Sequence, residues 1–215
     1  MIRLFTGWDA RESIGFGTFC QSVMSRSTSM VSITPLHSEQ FDGSNAFTYA
    51  RYLVPSLCNH TGWAIFADGC DMVCLDDITK LWLLRDPQYA VQVVRHDYKT
   101  NAPIKYKGTS MESKNVDYPR KNWSSLMLVN CAHPSMRTIG MTANVTMHQF
   151  HWLQDHEIGS LPMEWNWLCD EYGPSQNAKI LHWTQGIPGF AWYKQASMAD
   201  RWWAEHEASQ GGHGL

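Results

Sequence analysis

The chain has 215 residues, 44% of them hydrophobic and 17% charged, with a formal net charge of −3. That balance describes a globular protein with a substantial core, excludes a disordered chain, and argues against broad nucleic-acid binding. No run approaches the roughly 20 apolar residues of a membrane span, and Met1-Ile2-Arg3-Leu4-Phe5 is interrupted too soon to be a secretory leader, so a cytoplasmic protein is expected.

In chain order, residues 2–6 read as a first strand stopped by Gly7. A helix over 9–25 comes next, with Asp9 as cap and Glu12 three positions on, as in a capping box. Residues 30–34 form a short β-rich run ending at Pro35. Ser44 is placed to cap a helix carrying Phe47, Ala50, Val54 and Leu57 on one face, with Pro55 distorting its last turn. Strands are expected at 64–67, 89–94, 125–130 and 178–183, and helices at 78–84, 135–142, 147–154 and 197–208. Between 97 and 122 the pattern dissolves. That stretch carries Lys99, Lys105, Lys107, Lys114, Arg120 and Lys121 against Asp97, Glu112 and Asp117, which suits either a phosphate-bearing ligand or an ordinary solvated loop. The alternation of strand and helix predicts an α/β domain with a mainly parallel central sheet flanked by helices, spanning 1–208, and a disordered tail over 209–215. Ligands of such sheets bind at the carboxyl ends of strands, where Gly7-Trp8-Asp9 and Asp68-Gly69-Cys70-Asp71 both stand.

The second of these is the most informative segment. An apolar run ends in Asp68 and Asp71, and ionised carboxylates at a buried strand end are costly without a cation or hydrogen-bond donors. Oxygen ligands suit Mg²⁺, Mn²⁺ or Ca²⁺; an acidic turn without metal is the competing reading. The six cysteines form no Cys-x-x-Cys pair and read as reduced thiols.

These pieces together resemble the retaining glycosyltransferases of the GT-A fold, the group that contains glycogenin and the bacterial lipopolysaccharide galactosyltransferases, and within it the small bacterial or phage-like members. The resemblance covers roughly residues 2–192. Asp68-Gly69-Cys70-Asp71 stands at the family's Asp-x-Asp metal motif, in a register that makes Asp71 the second acid and leaves Gly69 where the first acid normally stands. Lys179-Ile180-Leu181-His182-Trp183-Thr184-Gln185-Gly186 resembles the late histidine motif. The resemblance therefore implies Asp68, Asp71 and His182 as ligands of Mn²⁺, with Mg²⁺ as the alternative, and Gly186 on the donor side. The lysine that the family places after this motif is missing from Ile187-Pro188-Gly189-Phe190, so Arg120 and Lys121 are the expected diphosphate contacts.

Phe5-Thr6-Gly7-Trp8-Asp9 matches the first-strand end that holds base and ribose. Thr6 and Gly7 would bond the base through their backbone, Trp8 would stack on it, and Asp9 would bind ribose or serve only as a helix cap. Tyr49-Ala50-Arg51-Tyr52 resembles the Tyr-x-Arg motif whose arginine faces the donor sugar. Gln154-Asp155-His156-Glu157 resembles the Asp-Gln-Asp block, which implies that Asp155 orients sugar hydroxyls and that His156 replaces the glutamine near the anomeric carbon. The activity implied by resemblance is that of a Mn²⁺-dependent hexosyltransferase moving a sugar from a UDP-sugar to a saccharide or other hydroxyl acceptor, with retention. A nucleotide-sugar hydrolase and a non-catalytic nucleotide-sugar-binding protein are the alternatives.

Overall fold

A computed structural model describes residues 1–37, 46–139 and 145–211. The chain opens with β1 (Ile2–Gly7), a 3-10 turn (Ala10–Glu12) and α1 (Ser13–Met24). Strand β2 (Val31–Leu36) comes next, then a 3-10 segment (Ala50–Leu53) that runs into α2 (Val54–Leu57). After these stand β3 (Trp63–Ala67), β4 (Met72–Cys74), α3 (Ile78–Trp82) and β5 (Val91–Val93). A small hairpin, β6 (Ile104–Lys105) and β7 (Ser113–Lys114), precedes β8 (Leu126–Asn130). The remainder holds β9 (Ile158–Ser160), β10 (Trp167–Leu168), α4 (Cys169–Tyr172), β11 (Ile180–His182) and α5 (Ala199–Ser209).

The main sheet has the order β2-β1-β3-β8-β5-β9. Strands β3 and β8 present apolar residues to both faces because both faces are covered. Ala64 and Phe66 of β3 join Met127 and Val129 of β8 in one core, while Ile65 and Ala67 join Leu126 and Leu128 in the other. Pro35 sits in β2, an edge strand, where a missing N–H costs no ladder bond.

The expectation of a mainly parallel sheet holds for β1 with β2, β1 with β3 and β5 with β9. It fails at β8, which runs antiparallel to both of its neighbours, β3 and β5. The reason is the connection: 94–122 carries the β6–β7 hairpin and no crossover helix, so nothing returns the chain to the starting edge of the sheet.

Among the described residues no helix is long and apolar enough to cross a membrane, and all six cysteines are unpaired. The helices expected over 44–57, 135–142 and 147–154 are instead short. Pro55 lies in the first turn of α2, where its missing N–H is harmless, rather than in a last turn. Pro134 likewise opens a single 3-10 turn, Pro134–Arg137. Within 147–154, Met147 closes the 3-10 turn Val145–Met147 and no α-helix succeeds it. Ser44, residues 140–142 and residues 212–215 of the expected tail lie outside the described residues, and Ser209 is the last residue of α5.

A second sheet, β10-β11-β4, takes over where the chain leaves β3. Residues 68–71 are the junction between the two sheets. In the β11–β4 ladder His182 pairs with Met72, and the Trp183 amide donates to the Asp71 carbonyl at 2.9 Å. That register sets the last side chain of β11 beside the acidic turn.

Candidate active site

The turn is shaped by a glycine. Gly69 has φ +76°, and a Cβ on it would stand 1.8 Å from Thr6 Oγ1. No L side chain fits there, so the first carboxylate comes from Asp68, one position earlier. The Asp68 amide donates to the Ser125 carbonyl at 2.8 Å, and Met72 N donates to the Gly69 carbonyl at 3.0 Å. From behind, α1 presses Gly15 against the turn so closely that a Cβ there would lie 1.8 Å from the Cys70 carbonyl oxygen.

Asp68, Asp71 and His182 each bring one ligand atom into a group whose members all lie within 4.8 Å of one another. His182 Nε2 is 3.2 Å from Asp71 Oδ2. Its Nδ1 is 3.0 Å from Asn166 Oδ1, and Asn166 Nδ2 donates to Ser125 Oγ at 2.8 Å. The Asn166 amide is thereby oriented with its oxygen toward the ring, so His182 donates from Nδ1. In the neutral ring, Nε2 then presents a lone pair to a carboxylate oxygen. That contact is repulsive unless a proton or a cation lies between the two atoms.

The other side of Asp68 meets Arg51, whose NH1 is 2.7 Å from Asp68 Oδ1. Arg51 also donates to the Ser124 and Thr48 carbonyls, both at 2.8 Å, and lies over the Phe66 ring. Burial pushes the Asp68 carboxyl up to about 6; Arg51 opposes this and Asp71 adds to it. Burial also resists a charge on His182, but Asp71 and Asp68 draw its pKa above the usual histidine value. Oδ1 of Asp71 is buried with no hydrogen-bond partner among the described residues. Two close carboxylates, a fixed imidazole and a buried oxygen without a donor fit a divalent cation of the Mn²⁺ or Mg²⁺ kind.

These groups line a cavity of about 80 Å³ that also takes in Thr48, Lys105, Tyr118, Ser124 and His148. His148 Nδ1 is shared by Tyr52 Oη at 3.0 Å and Ser124 Oγ at 2.8 Å. Burial, with the charge of Arg51 second, pushes its pKa down to about 3, so the ring is neutral near pH 7.

The structure does not bring every expected residue here. Asp155 and His156 stand on an exposed 3-10 turn, Asp155–Glu157. Asp155 pairs with Arg120 at 2.5 Å beside Trp123 in a separate cleft, so Asp155, His156 and Arg120 do not line the cavity. Lys121 lines an adjoining chamber and is held by Asn115 Oδ1 at 2.7 Å. Thr6 is buried against Gly69, and Trp8 packs edge-on to His37. Asp9 caps the 3-10 turn and also accepts from Ala46 N at 2.9 Å. Burial alone would raise the Asp9 pKa, but the bonds from Arg11 and Ala46 bring it down to about 2. Gly186, with φ +151°, lies under the Tyr193 ring in the loop after β11. Thr6 to Asp9 and Gly186 are not among the residues that line the cavity.

Asn166 and His148 stand at the site without a role read from the sequence, where Lys105 figures only as one of the basic residues of 97–122. The available signal was a polar residue amid apolar ones, as with Asn166 beside Trp165.

No protein-family model matches the chain. It is 36% identical over 227 aligned positions to Protein CDI of Arabidopsis thaliana, covering 95% of this chain and 86% of that protein. Among solved structures it is similar to the glycosyltransferase GlyE of Streptococcus pneumoniae TIGR4, with a TM-score of 0.65 at 13% identity over 95% of this chain. The chain spans 60% of the GlyE chain. It is also similar to the galactosyltransferase LgtC, solved with donor and acceptor sugar analogs, with a TM-score of 0.61 at 12% identity and 96% of both chains covered. These likenesses establish the GT-A glycosyltransferase fold.

Proposed function

The chain belongs to the family of Protein CDI, and we propose that it is a metal-dependent glycosyltransferase that moves a sugar from a nucleoside diphosphate sugar to a hydroxyl acceptor. The observation that carries this reading is the meeting of Asp68, Asp71 and His182 at the junction of the two sheets in a glycosyltransferase fold. A divalent cation held by those three side chains would act as a Lewis acid on the departing diphosphate. UDP is the expected nucleotide and Mn²⁺ the expected ion, on the resemblance to the retaining GT-A enzymes and on the mixed oxygen and nitrogen donor set. The complex of LgtC with donor and acceptor sugar analogs supports a saccharide acceptor.

The bond that breaks joins the anomeric carbon to a phosphate oxygen, so positive charge develops on the sugar ring and negative charge on the diphosphate. Asn166 fixes the His182 ring so that Nε2 faces the acids. Arg51, anchored by two backbone carbonyls, holds the Asp68 carboxylate in place without reorganisation. Neutral His148 and Ser124 offer the cavity hydrogen-bonding groups of the type that orient sugar hydroxyls. Retention of configuration is part of the proposal by resemblance, and no side chain is assigned as nucleophile.

The test is a thermal-shift screen of nucleotide sugars with and without Mn²⁺. A ligand at about 100 times its dissociation constant stabilises by roughly 2.7 kcal/mol. A cation-dependent shift with one nucleotide sugar, lost in Asp71→Asn, is expected. Absence of any cation-dependent shift across UDP, GDP and other nucleotide sugars would overturn the reading.

A further inference from the structure

We propose that the lysine-lined chamber beside the carboxylate–imidazole cavity is a phosphate-binding site with Lys105 as its inner wall; the proposal rests on the nucleotide-sugar reading only for what carries the phosphate. The chamber, about 180 Å³, is lined by Lys105, Lys114, Lys121, Asn115, Tyr118 and Asn122, with Val116 and Thr184 completing it. None of these is an acid. Lys105, Tyr118, Asn122 and Thr184 line both volumes, so the chamber and the cavity adjoin.

Lys105 differs from an ordinary surface lysine. It is half-buried, and no acid lies within ion-pair distance of its ammonium among the described residues. Burial works against its charge, and Asp71 and Asp68 favour that charge only at a distance. A desolvated ammonium without a counter-ion is unfavourable, and a phosphate oxygen would relieve it with a charge-assisted bond.

Its backbone is well anchored. Lys105 pairs with Ser113 across the β6–β7 hairpin, and the next amide, Tyr106 N, donates to the Gln185 carbonyl at 2.6 Å. That bond ties the hairpin to the loop after His182. Lys121 is oriented into the chamber wall by Asn115, and the acid it pairs with, Asp117 at 3.5 Å, is itself exposed. Three ammonium groups and no carboxylate line the chamber itself; Asp117 stands at its rim, and Asp68, Asp71 and Glu171 act on the lysines only from farther off. Residues 183–190 hold no lysine. Lys105 brings one to the same neighbourhood from a different part of the chain, where no linear motif would reveal it.

The experiment is calorimetric titration of the full chain, in chelator, with UDP, uridine and inorganic pyrophosphate. UDP and pyrophosphate should bind without metal, and Lys105→Gln should weaken both by about tenfold or more while leaving uridine unchanged. Lys105→Arg should restore most of the loss. Unchanged affinity in Lys105→Gln overturns the proposal, as does an equal loss for uridine, which would mark a packing role. If Lys105→Gln does not fold, the wild-type chain still decides. Pyrophosphate affinity that ignores a rise in salt from about 0.05 to 0.3 M contradicts a lysine-built site.

A hexose phosphate added to UDP-saturated protein separates the two sources of phosphate. Binding beside UDP assigns the chamber to a phosphorylated acceptor, competition assigns it to the donor, and both support the site. Lys105-dependent pyrophosphate binding without any nucleotide-sugar binding would keep the phosphate site and remove the transferase. Sugar transfer indifferent to Lys105→Gln would do the reverse.

Discussion

Two parts of the molecule each set aspartate near histidine, and only one of them is enclosed. At the sheet junction, the side chains of Asp71 and His182 are 6% and 2% exposed, and the backbone around them is tied by ladder and turn bonds. On the turn Asp155–Glu157, Asp155 is 88% exposed and its partner is the guanidinium of Arg120. The same letters therefore mean different things. An exposed pair contributes about 0–1 kcal/mol and is remade by water when broken. Removing one partner of a buried pair costs about 3–5 kcal/mol, because the other charge is left without compensation. Chemistry that needs a dry, fixed charge can use the first place and not the second.

Substitutions can press on that contrast. The largest effect is expected from Asp71→Asn: sugar transfer should fall by about 10²–10³-fold, the scale seen when one preorganised electrostatic group is lost. Steady-state kcat with the best donor measures it, and a loss below tenfold would mean that the enclosed corner is not the reacting one. Asn166→Leu removes the group that orients His182, and should weaken Mn²⁺ by about 10–100-fold, read by metal titration of the thermal shift.

Gly69→Asp, which would move the acid to the position usual in Asp-x-Asp sites, should destabilise rather than improve the protein. Backbone strain at φ +76° costs about 1–3 kcal/mol before the clash with Thr6 is counted. Urea unfolding checks this, and a stable, active variant would contradict the steric role assigned to the glycine.

A smaller effect concerns pH. Burial, with His182 nearby, pushes the His96 pKa down to about 3. The unfolded chain takes up that proton near 6.5, so the folded state is short of protons between the two values. The stability associated with His96 is therefore complete above about pH 6.5 and is lost as pH falls toward 3. His96→Gln should make the fall in Tm between pH 7 and 4.5 shallower, by about 2–4 °C for each kcal/mol removed. An unchanged slope would show that His96 takes up its proton alike in both states. The smallest effects belong to the open turn: Asp155→Asn and His156→Ala should alter kcat/KM by less than about twofold, as befits exposed groups. A large loss at either position would bring that turn back into the chemistry.

Much of this layout was legible in the residues. Trp63–Ala67 is apolar throughout and Leu126–Asn130 is apolar up to its last residue because both faces of their sheet are covered, which makes their existence plain and their burial predictable. Asp68 and Asp71 stood out because charge at the end of such a strand is expensive. The direction of β8 was not legible, since it depends on how 94–122 travels and that stretch has no strong period. The hairpin strands β6 and β7 are two residues each, too short to leave an alternation. Asp155 and His156 matched a motif in letters, but exposure is set by packing that the letters do not contain. Asn166 was visible only as a polar residue in an apolar run, and its partner lies 16 positions away.

Helix α1 supports the acidic turn from behind. At Gly15 no room remains between helix backbone and turn. The helix is itself braced by α5, through the Thr18 hydroxyl at 3.3 Å from His206 and the ion pair of Arg26 with Glu205. Recoil of the acids in that direction is therefore blocked by two stacked helices from opposite ends of the chain. Whatever enters therefore meets acids that cannot retreat, one side of the entrance being set before any ligand arrives.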